Sequence, residues 1–347
     1  MKFYTNSHPY YCGIDLHARI LYVCIIDDKE NVLVHKKIGA DPQALMALVQ
    51  PYLGNILIGV ECMHCWYWVS DWCEDNNIDF ILGHALYMKA IHGGKAKNDK
   101  IDSYKIAKLM KGGNFPLAYN YPRKMRATRD LLRSRMHIVR HGAQLKAHVK
   151  NTTSQYNLPP NGLNLRYASN REKMNNTFEN PSVQLNIDLD INLIDSYEKE
   201  LYKVEWHIKK HAKQHSAPNF NFLKTISGVG DILALPILYE IGDITRFESV
   251  QNFASYSRLV KCKAESAGKT YGTSGNKIGN AHLKWAFSEA AILYLRNNES
   301  GKKYIAKMEK RMPKSKALSA LAHKLGRSVY YMLKNQTVFD EDRFLKV

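Results

Sequence analysis

The order of apolar runs between residues 10 and 82 constrains this chain most, because two of the runs stop at an acid. Tyr10-Tyr11-Cys12-Gly13-Ile14 reads as a strand and closes on Asp15. Ile20 to Ile26 is rich in strand formers, and Asp27 to Asn31 is turn-like. Val32 to Ile38 alternates well enough to return as a strand. Pro42 to Tyr52 then reads as a helix, and Ile56 to Val60 as a strand closing on Glu61. Trp66 to Asn76 is a further helix, and Ile78 to Leu82 a further strand. Three meandering strands, then helix, strand, helix and strand, predict an α/β domain.

Two more acids follow. Asp99 and Asp102 lie three apart at the start of a helical stretch, in Asn98-Asp99-Lys100-Ile101-Asp102. Residues three apart share a helix face. Singly, acids at strand ends and helix starts are ordinary caps or solvated groups. Together, two strand-end carboxylates and one helical pair can converge on one point. Four carboxylates there repel each other unless cations neutralise them. Hard divalent cations take carboxylate oxygens, and a pair of them is a usual clamp for in-line attack on a phosphodiester.

The element order is the plan of a ribonuclease-H-like domain. With Gly13-Ile14-Asp15, Val60-Glu61-Cys62 and Asn98-Asp99-Lys100-Ile101-Asp102, the chain resembles the DEDD transposases of the insertion-sequence-110 type. Their N-terminal domain is similar to the RuvC Holliday-junction resolvase, and the Piv-type DNA invertases are close relatives. Cys62-Met63-His64-Cys65-Trp66 departs from the small, Gly-containing segment usual after the Glu. The resemblance implies that Asp15, Glu61, Asp99 and Asp102 are catalytic and bind Mg²⁺, with Mn²⁺ as a substitute.

Lys and Arg number 50 against 32 Asp and Glu, a formal net charge of +18. Such an excess favours polyanions and gives salt-sensitive binding. Lysines including Lys95 and Lys97 surround the Asp99/Asp102 pair, and Arg126, Arg129 and Arg133 follow. These five are candidates to hold a nucleic-acid backbone. No apolar run approaches the length of about 20 residues that a membrane helix needs. The N-terminus lacks the apolar core of a signal peptide. Cys62 and Cys65 flank His64, but no second Cys pair follows, so a reduced pair at a helix start is expected rather than zinc. The expectation is a soluble, cytoplasmic protein with no membrane partner.

The length of 347 residues allows two or three domains. Apolar residues recur at helical spacing from Met125 to Tyr156 and from Val183 to Ala212. Two long helices joined by a polar connector predict an antiparallel hairpin or coiled coil. Three segments are expected: an α/β domain over 1–122, a helical coiled-coil domain over 123–215, and a mainly helical C-terminal domain over 216–347. The last opens with Ile226-Ser227-Gly228-Val229-Gly230 before an apolar helix, which looks like half of a helix-hairpin-helix. Gly228 and Gly230 are candidate phosphate-contact positions.

A polar, glycine-dotted segment, read as a loop, runs from Glu265-Ser266-Ala267-Gly268-Lys269 towards Gly279-Asn280. The resembled transposases carry Glu-Ser-Gly and then a basic Gly-Asn block, and a serine there attacks DNA and becomes joined to it. By residue order Ser266 matches, with Ser274 the alternative and Tyr271 a remote third. Lys263, Lys269 and Lys277 would neutralise the attacked phosphate. The resemblance further implies a structured guide (bridge) RNA pairing with donor and target DNA, dimerisation through the helical middle, and a homodimer or homotetramer. Rival readings are a Piv-like invertase, a hydrolytic RuvC-like junction nuclease using the acids alone, and a binding protein whose acids no longer work.

Overall fold

The computed structural model describes residues 2–91, 98–158, 163–211, 215–274 and 278–345. The chain divides into two compact units, Met1–Arg123 and Lys124–Val347.

The first unit is built on five strands: β2 (Tyr10–Leu16), β3 (Ile20–Asp27), β4 (Val32–Gly39), β5 (Ile56–Glu61) and β6 (Asp79–Gly83). A two-residue β1 (Phe3–Tyr4) pairs separately with β7 (Phe115–Pro116). The sheet order is β4-β3-β2-β5-β6. β2, β3 and β4 run antiparallel, as expected for a meander, while β5 pairs parallel to β2 and β6 parallel to β5. Helices α1 (Pro42–Val49), α2 (Tyr67–Asp75), α3 (Ala85–Ile91) and α4 (Asp99–Lys111) complete it. The mixed sheet is consistent with a ribonuclease-H-like domain.

Side-chain parity sorts the sheet into two faces. Cys12, Ile14 and Leu16 of β2 join Ile56, Ile58 and Val60 of β5 in a core with Leu45, Val49, Val69 and Cys73 of α1 and α2. Tyr11 and Leu57 belong to the opposite core, with Ile106, Ala107, Leu109 and Met110 of α4. Gly13 and Asp15 share Tyr11's face, and Gly59 and Glu61 share that of Leu57. Both strand-end acids therefore project on the side that α4 covers.

Among the described residues, the second unit is helical apart from one hairpin. It contains most of α5 (Arg123–Gln155), then α6 (Ala168–Glu172), α7 (Pro181–His211), α8 (Ala217–Lys224), α9 (Asp231–Ile241) and α10 (Val250–Tyr256). Strands β8 (Cys262–Ser266) and β9 (Lys269–Ser274) follow, then α11 (Ala281–Tyr294), α12 (Glu299–Glu309), α13 (Lys314–Asn335) and α14 (Glu341–Leu345). A large core gathers residues of α8 to α14 with Met125, Leu132 and Ile208 from the long helices. A smaller core lies at the other end of those helices, from Val149, Leu165, Met174, Ile187 and Ile191. Leu185, Leu189 and Leu193 stay exposed along α7. Among the described residues, no helix is long and apolar enough to cross a membrane.

Candidate active site

Two glycines let α4 reach the acids. A Cβ on Gly13 would collide with the Ser103 carbonyl and the Ala107 amide, and one on Gly59 with the Met110 sulfur. Their absence lets the α4 backbone lie directly on β2 and β5. At its start, Asn98 is extended, and its side chain accepts from the Lys100 amide. Asp99 and Asp102 occupy the first turn, where the helix dipole favours negative charge. His35 of β4 bonds the Lys100 carbonyl at 2.8 Å, and Glu30 pairs with Lys108 and Lys111 at 2.9 and 3.1 Å. These contacts tie both ends of α4 to the sheet.

Asp15, His17 and Asp99 come together so that one ligand atom from each lies within 4.8 Å of the others. His17 Nε2 is 3.4 Å from Asp15 Oδ2 and 3.6 Å from Asp99 Oδ2. Glu61 ends β5 one residue beyond the Ile14/Val60 register pair, which sets it beside Asp15. Asp102 is 3.6 Å from Lys105 Nζ. Burial raises the Asp15 pKa; His17 opposes this, and the nearby charges of Asp99 and Asp102 add to it.

The donor set fits a hard divalent cation. Crowded carboxylates raise the cost of ionising Asp15, and a cation among them would reverse that cost. His17 was not among the sequence-derived candidates. Its signal is the spacing Asp15-Leu16-His17, because alternate residues of a strand share a face.

The second unit corrects the loop reading of the serine segment. Ser266 is the last residue of β8, in a hairpin whose two turn residues, Ala267 and Gly268, have φ of 50° and 75°. Two successive left-handed residues make a tight hairpin turn. Register sets Ser266 opposite Lys269, and both are exposed. Lys263 and Ser274 lie on β8 and β9. Lys95, Lys97 and Lys277 lie outside the described residues.

Two of the three arginine candidates are corrected, and Arg133 is half-buried. Arg126 and Arg129 are buried, which removes them from a phosphate-facing surface. Arg129 reaches Glu240 of α9 at 3.1 Å, and Arg133 makes two bonds to it at 2.6 and 2.9 Å. Glu240 also accepts from Asn280 Nδ2 at 2.7 Å, while Asn280 Oδ1 accepts from the amides of His282 and Leu283. Burial pushes Glu240 towards the neutral form, but Arg133, Arg129 and Asn280 outweigh it, and the net pKa falls. The Gly279-Asn280 block is thus structural, since Asn280 caps α11 and docks on the Glu240 cluster. Gly228 is likewise a packing position, with φ 82° and the Leu293 backbone where a Cβ would sit. Gly230 faces open space before α9, where Asp231 pairs with Lys224 at 2.7 Å.

Two family models match this chain. One, described as a transposase and belonging to the DEDD type of IS110, covers residues 12–158 and so includes all four acids. The other, described as the transposase IS116/IS110/IS902 family, covers residues 221–306 and includes the β8–β9 hairpin. The chain belongs to the IS110-type transposases. No curated protein matches it. An IS110-type transposase is a DNA-processing enzyme, and the acidic cluster of this transposase fits the divalent-metal use typical of the DEDD family.

Proposed function

We propose that this transposase is a site-specific DNA recombinase of an insertion sequence, whose RuvC-like first unit and hairpin serine divide the chemistry between them. The observation that carries the reading is the placing of Asp15 and Glu61 on the α4 side of the sheet, with Asp15 against the first turn of α4. Asp15, Glu61, Asp99 and Asp102 would hold Mg²⁺ or Mn²⁺. When bound, the ion supplies positive charge for a phosphate and lowers the cost of an attacking oxyanion.

The hydroxyl of Ser266 attacks a DNA phosphorus. A Ser Oγ–P bond forms as the bond from phosphorus to one deoxyribose oxygen breaks. The serine proton leaves, and the departing oxygen ends as a hydroxyl. The resulting ester keeps the phosphodiester's bond energy, so a hydroxyl from another strand can reverse the exchange. Lys269, opposite Ser266 in the hairpin, can neutralise the phosphate under attack. Lys263, Lys277 and the exposed amide end at Gly230 are further candidate contacts.

The net charge of +18 suits donor DNA, target DNA and a structured guide RNA. The exposed leucines of α7 suit a coiled-coil pairing between two copies, giving a dimer or tetramer. The turn between α8 and α9 serves as the helix-hairpin-helix-like element.

Strand cleavage of a junction-spanning DNA, with copurified RNA present, tests the cation half. Asp15→Asn or Asp102→Asn should abolish cleavage with the circular dichroism spectrum unchanged, and chelator should do the same to the wild type. Full activity in chelator or in either variant rejects the reading.

A further inference from the structure

We propose that His17 is a nitrogen ligand of the cation site, which makes the site select Mn²⁺ over Mg²⁺. The inference rests on the reading of the four acids as a cation site.

Three observations carry it. First, Asp15 and His17 are alternate residues of one extended segment, so both side chains face α4. The His17 amide bonds the Ile20 carbonyl at 3.1 Å, which holds the ring at the mouth of a tight β2–β3 turn. Second, the ring is partly exposed, yet its Nε2 atom is buried, with the Asp15 and Asp99 carboxylates as polar neighbours. A nitrogen kept from water and aimed at two carboxylates is placed either to pair with them or to bind a cation beside them. Third, that nitrogen lies 3.4 and 3.6 Å from single oxygens of Asp15 and Asp99. These separations are long for hydrogen bonds. They lie just above the spacing of about 3 Å between neighbouring donors around an octahedral ion with bonds of about 2.1 Å.

The chemistry of the donor sets the preference. Carboxylates alone suit Mg²⁺ and Mn²⁺ alike, whereas imidazole favours ions later in the transition series. One nitrogen among oxygens therefore biases a site of this kind towards Mn²⁺. An imidazolium that only pairs with the two carboxylates is the competing role.

Pulsed electron paramagnetic resonance of Mn²⁺ bound to the full-length protein separates the two. Nitrogen-14 modulation should appear in the wild type and vanish in His17→Gln. Titration should show Mn²⁺ binding weakened by about tenfold or more in His17→Gln, with Mg²⁺ binding changed far less. Asp15→Asn should weaken both ions. The proposal is overturned if wild-type Mn²⁺ binds in an Asp15-dependent way without nitrogen modulation, a result that needs no variant at position 17. Modulation that survives His17→Gln also overturns it, because the nitrogen then comes from elsewhere, such as the His137/His141 pair on α5. Mn²⁺ binding indifferent to Asp15→Asn instead removes the cation site itself.

Discussion

Glu240 shows how much of the second unit depends on one side chain. Its carboxylate is only 3% exposed and takes two guanidiniums and an amide. Removing one partner of such a cluster leaves a buried charge unpaired, which costs about 3–5 kcal/mol. Glu240→Ala should lower unfolding stability by that amount in urea at pH 7. A loss below about 1 kcal/mol would mean that Arg129 and Arg133 find water or other partners. Glu240 holds its proton less readily in the folded protein than at the ordinary value of 4.5. Its contribution is therefore complete above that value and is lost as pH falls below it, through the lower folded pKa. An acid titration of stability should steepen in this window for the wild type and flatten for Glu240→Gln.

At the scale of elements, the site depends on the close approach of α4 to β2. Gly13→Ala should shift α4 outwards, cost about 1–3 kcal/mol through overpacking, and cut strand cleavage although no acid is changed. Wild-type cleavage by this variant would show that the spacing of Asp99 from Asp15 is not critical. The central strands β2, β3 and β5 and the helices α1 and α2 were legible because they bury apolar residues, whereas β1, α3 and β7 are short and were not read from the sequence. Asp15 and Glu61 were singled out in the sequence because each closes an apolar run, and the structure adds that in Gly13-Ile14-Asp15 and Gly59-Val60-Glu61 a glycine clears room for the helix two residues before the acid. The β8–β9 hairpin was not legible as strands, because residues 265–270 are exposed and carry no buried face to produce alternation. Its turn was signalled only by Gly268. Ala267 stands where the resembled transposases have glycine, and its φ of 50° is a conformation glycine adopts more readily. Arg129 was misread because a basic helix face looks alike in sequence whether its charges meet phosphate or a buried Glu from a helix some 100 residues on.

At the scale of the molecule, the surplus of positive charge is, in the proposed function, the feature that brings nucleic acid to the protein. If Lys269 contacts one phosphate, Lys269→Gln should reduce the log–log salt slope of DNA binding by roughly 0.7 to 0.9. An unchanged slope would remove Lys269 from the interface. The acids and the serine lie in different units of the chain, so each can be disabled while the other unit stays folded. That separation makes a covalent-adduct assay the most direct test of the whole account. Wild-type protein with Mg²⁺, copurified RNA and labelled DNA should give a denaturant-resistant protein–DNA adduct, mapped by peptide sequencing to Ser266. Ser266→Ala should bind DNA and form no adduct, and Asp15→Asn should bind and form none either. Cleavage that survives Ser266→Ala and leaves free ends, while still needing Asp15, would contradict the account and identify a hydrolytic nuclease.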